Sequence, residues 1–303
     1  MPETVNASGT VPTWRRVVAF PLVSLVIALG AAVGVILGFG WLVTRLPDTG
    51  LSDAAMMGLT AVIAVLLMFA LSKVLLRHLG EMPRDDLPLK GAGRDTLFGF
   101  LGAGWLMTMC VGVAFILGAY TITAWGGSTS APLILFQAGL FAGFVEEVIA
   151  RGIIFRFLEE FAGSWAALVI SALVFGFLHA DNPNATWFSS LAISIEAGIL
   201  LGAAYMYTRN LWLAIGLHAG WNIVQGYVWD VPVSGNQVDG LVESQMSGHP
   251  LISGGAFGLE ASVIALVIAT TAGVWLLREA MKKGHVIQPR WVRNRKARQP
   301  ISE

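Results

Sequence analysis

The chain has 303 residues and a formal net charge of zero, with 55% hydrophobic residues and only 13% charged residues. So few charges exclude an ordinary soluble globular protein. We therefore predict an all-α fold, a polytopic membrane helical bundle that forms one unit in lipid.

Apolar stretches long enough to cross a bilayer recur along the chain. About 20 apolar residues span the ~30 Å hydrocarbon core, and the first stretch is too long for the core of a secretory signal. The sequence predicts eight transmembrane helices, at 17–44, 54–76, 97–124, 133–158, 164–180, 186–207, 211–229 and 256–278.

Basic residues predict the orientation of these spans, because Lys and Arg are enriched in cytoplasmic loops. They lie before the first span and on every second connection, at Arg15, Arg16, Arg77, Arg84, Lys90, Arg94, Arg156 and Arg209. We expect both termini to be cytoplasmic, and the positive-inside design without a targeting peptide to indicate a bacterial inner membrane. The basic tail from Lys282 to Arg298, with Trp291, is interpreted as an anchor for lipid headgroups rather than a nucleic-acid-binding segment.

Polar residues within the predicted spans concentrate in four consecutive helices. Ionisable residues at this depth usually face a protein interior and serve a function. Glu159 and Glu160 are expected to be solvated at the cytoplasmic end of the fourth span, and Lys73 and Glu260 to reach water from span ends. The remaining set is Glu146, Glu147, Arg151, His179, Glu196, His218 and Asn222.

The fourth span contains two adjacent acids with different expected tasks. Glu147 and Arg151 are four residues apart, in the order that favours an ion pair on a helix. Glu146 is rotated by about 100° from Glu147, so it faces another neighbour and is free to exchange a proton. We predict that Glu147 holds Arg151 while Glu146 does the chemistry.

A histidine and an asparagine on the seventh span complete a candidate hydrolytic site. His218 and Asn222 project from one face, one turn apart, and can donate two hydrogen bonds toward a developing oxyanion. With Glu146 and His179 available to activate water, the pattern predicts amide hydrolysis. A covalent acyl-enzyme is disfavoured, since no Ser or Cys lies in a nucleophile motif beside these residues.

Structural alternatives stand beside this interpretation. His179 lies near the end of a short span, which is also typical of an interfacial histidine, and His218 with Asn222 could serve only to link helices. Counting along the helices places His218 one or two turns shallower than Glu146. A proton-coupled transporter would also carry such groups, although repeated halves are expected there.

Three motifs in order carry a family resemblance. The segments EEVIARG, FGFLH and HAGWN occur on successive predicted helices and include Glu146, Glu147, Arg151, Phe175, His179, His218 and Asn222. Together they resemble the CAAX-protease and bacteriocin-processing (CPBP, or Abi) family of intramembrane endopeptidases, related to type II CAAX prenyl proteases. The resemblance covers roughly residues 133–229 and leaves Glu196 without an inherited role.

The resemblance implies an intramembrane endopeptidase in which Glu146 with His179 activates water and His218 with Asn222 forms the oxyanion site. Glu147, Arg151 and Phe175 would support them. No cofactor is favoured, and the alternative is zinc held by Glu146, His179 and His218. A non-catalytic immunity or scaffold protein of the same fold is the runner-up, because a fold does not fix a function.

The resemblance also divides the chain into three parts. Residues 1–132 would supply three supporting helices and a cytoplasmic loop, 133–229 the catalytic four-helix core, and 230–303 an outer loop, the last span and the tail. Expected partners are membrane lipids and a peptide or membrane-protein substrate. No sequence feature encodes a substrate preference or an oligomeric state.

Overall fold

A computed structural model describes residues 12–297 and shows a mostly helical bundle. Within this described part, six helices (α2, α3, α4, α5, α7 and α10) are long and apolar enough to cross a membrane. The helices are α1 Thr13–Ala19, α2 Pro21–Val43, α3 Asp53–Val74, α4 Ala92–Ile116, α5 Leu133–Ala162, α6 Ser164–Phe177, α7 Trp187–Thr208, α8 Trp212–Ile223, α9 Pro250–Ser253, α10 Val263–Lys282 and α11 Arg290–Ala297.

The predicted membrane bundle is confirmed, but the count of eight spans is not. Helix α6 has only 14 residues, and α8 has 12 before the chain continues as a π-helical turn to Val228. Both lie where spans were predicted. They are shorter than the length that crosses a bilayer unaided, about 20 residues.

The third predicted span, 97–124, was wrong at its outer end. Helix α4 stops at Ile116, and Gly118 adopts a left-handed φ of 73° that glycine tolerates without strain. The next residues form strand β1, Tyr120–Trp125, which pairs antiparallel with strand β2, Val242–Met246. β-branched and aromatic side chains favour this strand, so apolar character alone misplaced the helix end.

Close contact between helices fixes the position of α8 against α4. A methyl group added at Gly216 would lie 2.1 Å from the carbonyl oxygen of Thr96, and one at Gly220 would lie 2.4 Å from that of Phe100. The glycines are four residues apart, the small-residue spacing that lets membrane helices approach closely. The backbones of α4 and α8 therefore touch along this stripe.

The opposite side of α8 packs on α5 through a second pair of glycines. A methyl group at Gly143 would lie 3.0 Å from the Ala219 side chain, and one at Gly139 would lie 2.5 Å from Ile223. Helix α8 is thus held between α4 and α5. Its remaining face, which includes His218 and Asn222, is presented to the paired glutamates of α5.

The expectation that Glu159 and Glu160 are solvated was wrong. Both side chains are fully buried. Glu159 lies 3.0 Å from Nη1 of Arg209, and Glu160 accepts a hydrogen bond from the backbone N–H of Glu81 at 2.8 Å. They were misjudged because the loop after α3 folds over the end of α5, a long-range contact that hydropathy does not encode.

The basic tail is partly helical and docks on the same loop. Helix α11 begins with Arg290, whose Nε lies 2.6 Å from Glu81, and Trp291 packs edge-on against Phe161 while remaining 57% exposed. The end of the predicted anchor, including Arg298, lies outside the described residues. The headgroup-anchor interpretation stays a prediction.

Candidate active site

Helix α5 departs from α-helical geometry where it carries the paired glutamates. Its backbone is π-helical over Leu133–Glu146 and again over Val148–Phe155. Such widened turns are rare and often occur at functional sites. Glu146 and Glu147 lie at the junction of the two segments.

Glu147 is the buried member of the pair and has two partners. Its Oε1 lies 2.8 Å from Nη1 of Arg151, so the predicted ion pair is present. The same oxygen lies 3.0 Å from Nδ1 of His218, a contact that sequence reasoning missed. Glu147 and Arg151 are both fully buried, which makes this a desolvated link between α5 and α8.

Glu146 faces open space instead. Its side chain is 37% exposed, and its Oε2 lies 3.9 Å from Nε2 of His218. The two nitrogens of His218 therefore face the two carboxylates, Nδ1 toward Glu147 and Nε2 toward Glu146. The depth mismatch expected for His218 was wrong, because close packing of α8 on α5 brings it level with Glu146.

Phe175 and His179 bring the end of α6 to the same place. Nδ1 of His179 lies 2.8 Å from the carbonyl oxygen of Phe175, one turn earlier. The Phe175 ring lies 4.4 Å below the Arg151 guanidinium and 5.8 Å from the His218 ring. Phe175 thus packs against Arg151 of the buried ion pair and against both histidine rings.

Asn222 reaches across to α5. Its Nδ2 donates a hydrogen bond of 2.8 Å to the carbonyl oxygen of Ala138. The helix-linking alternative therefore describes one bond of this side chain. An amide has two N–H donors, so this bond uses half of its donor capacity.

One cavity brings the four predicted site residues together. Its volume is about 250 Å³, and its lining includes Glu146, His179, His218 and Asn222. Three further polar residues also line it, Asn182 from the α6–α7 connection and Ser234 and Asn236 from the outer loop. The fold thus places a carboxylate, two imidazoles and an amide around a space large enough for a peptide group and water.

The donor set does not fit a zinc site in this arrangement. Zinc would need Glu146, His179 and His218 to converge on one point about 2 Å from each ligand atom. In the part of the chain from 12 to 297, no group of three His, Cys, Asp or Glu side chains is arranged to hold a metal ion. Metal dependence itself is a matter for the experiment below.

Two further acids lie near the site, although neither had a role there assigned from the sequence. Glu196 on α7 and Glu260 before α10 are 2% and 4% exposed, and both line a smaller cavity beside His218. Glu260 was expected to reach water, which was wrong, since its carboxylate accepts the backbone N–H of Ser234 inside the protein. An acid at the centre of the sixth predicted span was the available signal for Glu196.

Comparisons with known proteins agree with this placement. Residues 128–224 match the family model described as type II CAAX prenyl endopeptidase Rce1-like. This segment is Rce1-like. It contains the three motifs and all four residues of the cavity that carry the predicted chemistry, so the family resemblance is confirmed for this part of the chain.

A curated relative also matches part of the chain. YdiL of Bacillus subtilis (strain 168), a candidate membrane peptidase by its name, is 28% identical over 126 residues. The match covers 42% of this chain and 47% of the relative, so the chain spans about half the length of the relative it matches. No solved structure matches the chain significantly.

These findings support two coarse statements. The protein is a multi-pass membrane protein, since the Rce1-like segment lies in a bundle with six helices that can cross a membrane within residues 12–297. The family match and the relative both point to a membrane protease. The roles of single residues stay predictions.

Proposed function

We propose that the protein is an intramembrane endopeptidase that hydrolyses a peptide bond with a water molecule activated by Glu146. The observation that carries the proposal is the shared cavity, in which Glu146, His179, His218 and Asn222 surround one space. Family membership of the surrounding segment supports the same reaction class.

In the proposed mechanism, Glu146 accepts a proton from water as the hydroxide attacks the carbonyl carbon of the substrate. His179 orients that water from the facing helix. The proton held by Glu146 then passes to the leaving amine as the tetrahedral intermediate collapses. The partial exposure of Glu146 supports this role, because the base must be reachable by water and substrate.

His218 and Asn222 would stabilise the oxyanion of the intermediate. Glu147 accepts a hydrogen bond from the Nδ1–H of His218, so Nε2 faces the cavity and donates to the oxyanion when His218 carries a proton on both nitrogens. Asn222 would offer the N–H that is not bound to Ala138. Preorganised donors of this kind typically contribute about 10²–10³-fold to the rate.

The decisive experiment compares membrane and secreted peptides from cells with the wild-type protein, Glu146→Gln, and the control Glu243→Gln. Glu243 is an exposed carboxylate on β2, so the control makes the same chemical change away from the cavity. Cleaved peptides should be absent only with Glu146→Gln. Identical peptide sets in all three would favour a non-catalytic immunity or scaffold protein, and substrate-dependent proton flux in proteoliposomes would favour a transporter.

The metal-free form of this mechanism has its own test. The purified protein should keep its activity after treatment with a chelator, and metal analysis should find no stoichiometric ion. Stoichiometric zinc that is lost in His179→Ala would overturn the metal-free mechanism. It would leave the peptidase proposal intact.

We further propose an inner-membrane location in a bacterium with both termini cytoplasmic. The gathering of Arg84, Arg209 and Arg290 with acids at one end of the bundle supports it. Thiol labelling of intact cells with an impermeant reagent should modify Ser247→Cys but not Lys283→Cys. The native Cys110 is fully buried and should give little background, whereas the reverse labelling pattern would invert the topology.

A further inference from the structure

A second, smaller cavity lies directly behind the proposed catalytic residues. Its volume is about 40 Å³, and it shares His179, His218 and Asn222 with the larger cavity. That volume accommodates a short row of roughly three water molecules. The two spaces therefore adjoin at the point where the substrate carbonyl would lie.

The walls of the smaller cavity are mostly apolar. Side chains from three helices form them, and they are Phe175, Ile193, Leu200, Leu201 and Leu217. A hydrocarbon chain inserted here would contact apolar side chains along its length. The cavity is thus suited to the stem of one substrate side chain.

Two carboxylates distinguish this cavity from an ordinary apolar pocket. Glu196 is 2% exposed, and its Oε2 has no hydrogen-bond partner among the described residues. Glu260 lies at the same cavity, where its carboxylate accepts the Ser234 N–H. Among the described residues that line the cavity, no Lys or Arg balances these acids.

A buried acid without a partner needs a proton or a cation. An unpaired carboxylate in a low-dielectric site is strongly disfavoured, whereas a cation that arrives with good geometry compensates it. A lysine side chain supplies both parts that the cavity lacks, an apolar four-carbon stem and a compact ammonium group. The planar guanidinium of arginine is broader and fits a narrow cavity less well.

We propose that this cavity is a specificity subsite, which selects substrates with a lysine next to the scissile bond, with Glu196 as the principal anion and Glu260 as the second. This inference rests on the proposed peptidase function and names its substrate class. Neither acid belongs to the three motifs or to the proposed proton transfer.

The test uses purified full-length protein and two peptides that differ at one position, lysine or norleucine. Norleucine keeps the four-carbon stem and lacks the ammonium group. Wild-type protein should cleave the lysine peptide with at least about tenfold higher kcat/KM. Glu196→Gln should abolish that ratio by lowering kcat/KM for the lysine peptide, and Glu243→Gln should preserve the ratio.

Equal cleavage of the two peptides by wild-type protein would overturn the subsite, as would an unchanged ratio in both Glu196→Gln and Glu260→Gln. A binding assay separates this outcome from failure of the peptidase proposal. Butylammonium, but not butanol, should raise the melting temperature of wild-type protein and not that of Glu196→Gln. If no peptide is cleaved, butylammonium stabilisation would support the subsite, and its absence would refute it.

Discussion

Oε1 of Glu147 lies 3.0 Å from Nδ1 of His218 and 2.8 Å from a guanidinium nitrogen of Arg151. A single buried oxygen thus joins the ion pair of α5 to the imidazole of α8. The carboxylate can fix the tautomer and orientation of His218, and Arg151 supplies the opposite charge that this buried carboxylate requires.

The first prediction separates the structural and positioning roles of Glu147. Glu147→Ala should destabilise the protein by about 3–5 kcal/mol, because Arg151 would be left buried without its anion. The double variant Glu147→Ala/Arg151→Met should recover much of the stability. Its peptidase activity should remain at least about 100-fold low, because His218 would still lack the carboxylate that orients it.

Thermal unfolding in detergent and kcat/KM on one peptide measure the two effects separately. If the double variant regained activity together with stability, Glu147 would serve only the ion pair. Glu81→Ala is a useful comparison, since it removes a partly exposed ion pair with Arg290 far from the cavity.

The second prediction concerns the glycine contact between α4 and α8. Gly220→Ala should destabilise the protein by about 1–3 kcal/mol, since the new methyl group would press on the backbone of Phe100. Activity should fall with it, because α8 carries His218 and Asn222. Gly112→Ala on α4 is the matched control, as a methyl group there meets nothing within 4 Å. Equal melting temperatures for the two variants would contradict the close packing.

The third prediction concerns the buried ion network under the loop that follows α3. Asp86 lies 3.0 Å from Nη1 of Arg156 and accepts a hydrogen bond of 2.8 Å from the Tyr205 hydroxyl. Asp86→Ala should therefore cost about 3–5 kcal/mol of stability. Asp95→Ala, which breaks an exposed pair with Arg94, should cost about 1 kcal/mol or less. Chemical unfolding of both variants measures these losses of stability. A loss in Asp86→Ala as small as that in Asp95→Ala would show that the network contributes little to stability.

The fourth prediction is a pH dependence of substrate choice. Burial raises the pKa of Glu260 to about 7, opposed by hydrogen bonds from Ser234 and Gln225 and by the nearby His218. Glu260 is therefore mostly neutral below pH 7 and ionised above it, while lysine stays charged throughout this range. The kcat/KM ratio for lysine over norleucine should rise as the pH passes upward through about 7.

Glu196 on α7 lines the same cavity, so a variant at Glu260 leaves one of the two acids in place. Glu260→Gln should flatten the dependence of the ratio without removing activity. A ratio that falls with increasing pH would contradict the assignment of Glu260 as an anion for lysine. Using a ratio removes any effect of pH that acts on both peptides alike.

Local patterns were sufficient to predict much of the fold and of the candidate site. The spacing of Glu147 and Arg151 is set within one helix, so their ion pair could be predicted from the sequence and is present. Most helical segments were placed correctly for the same reason, because each depends on its own run of apolar residues, whereas the outer end of the third span was not. The family match likewise follows from short motifs.

Contacts between distant segments could not be predicted in this way. The bond from Glu147 to His218 depends on how closely α8 approaches α5, which is set by the glycines at 139 and 143. The burial of Glu159 depends on Arg209, 50 residues away. The strand at Tyr120–Trp125 needs its partner near residue 244. The apolar run at 120–125 does not by itself indicate that partner.

The shortness of α6 has a consequence for the surrounding bilayer. Fourteen residues rise only about 21 Å, roughly 9 Å less than the hydrocarbon core. We expect this hydrophobic mismatch to draw headgroups and water inward at the end of α6, near His179, and to thin the lipid beside the cavity. A peptidase that consumes water below the membrane surface would then receive that water where the bilayer is locally thinned, without a dedicated channel.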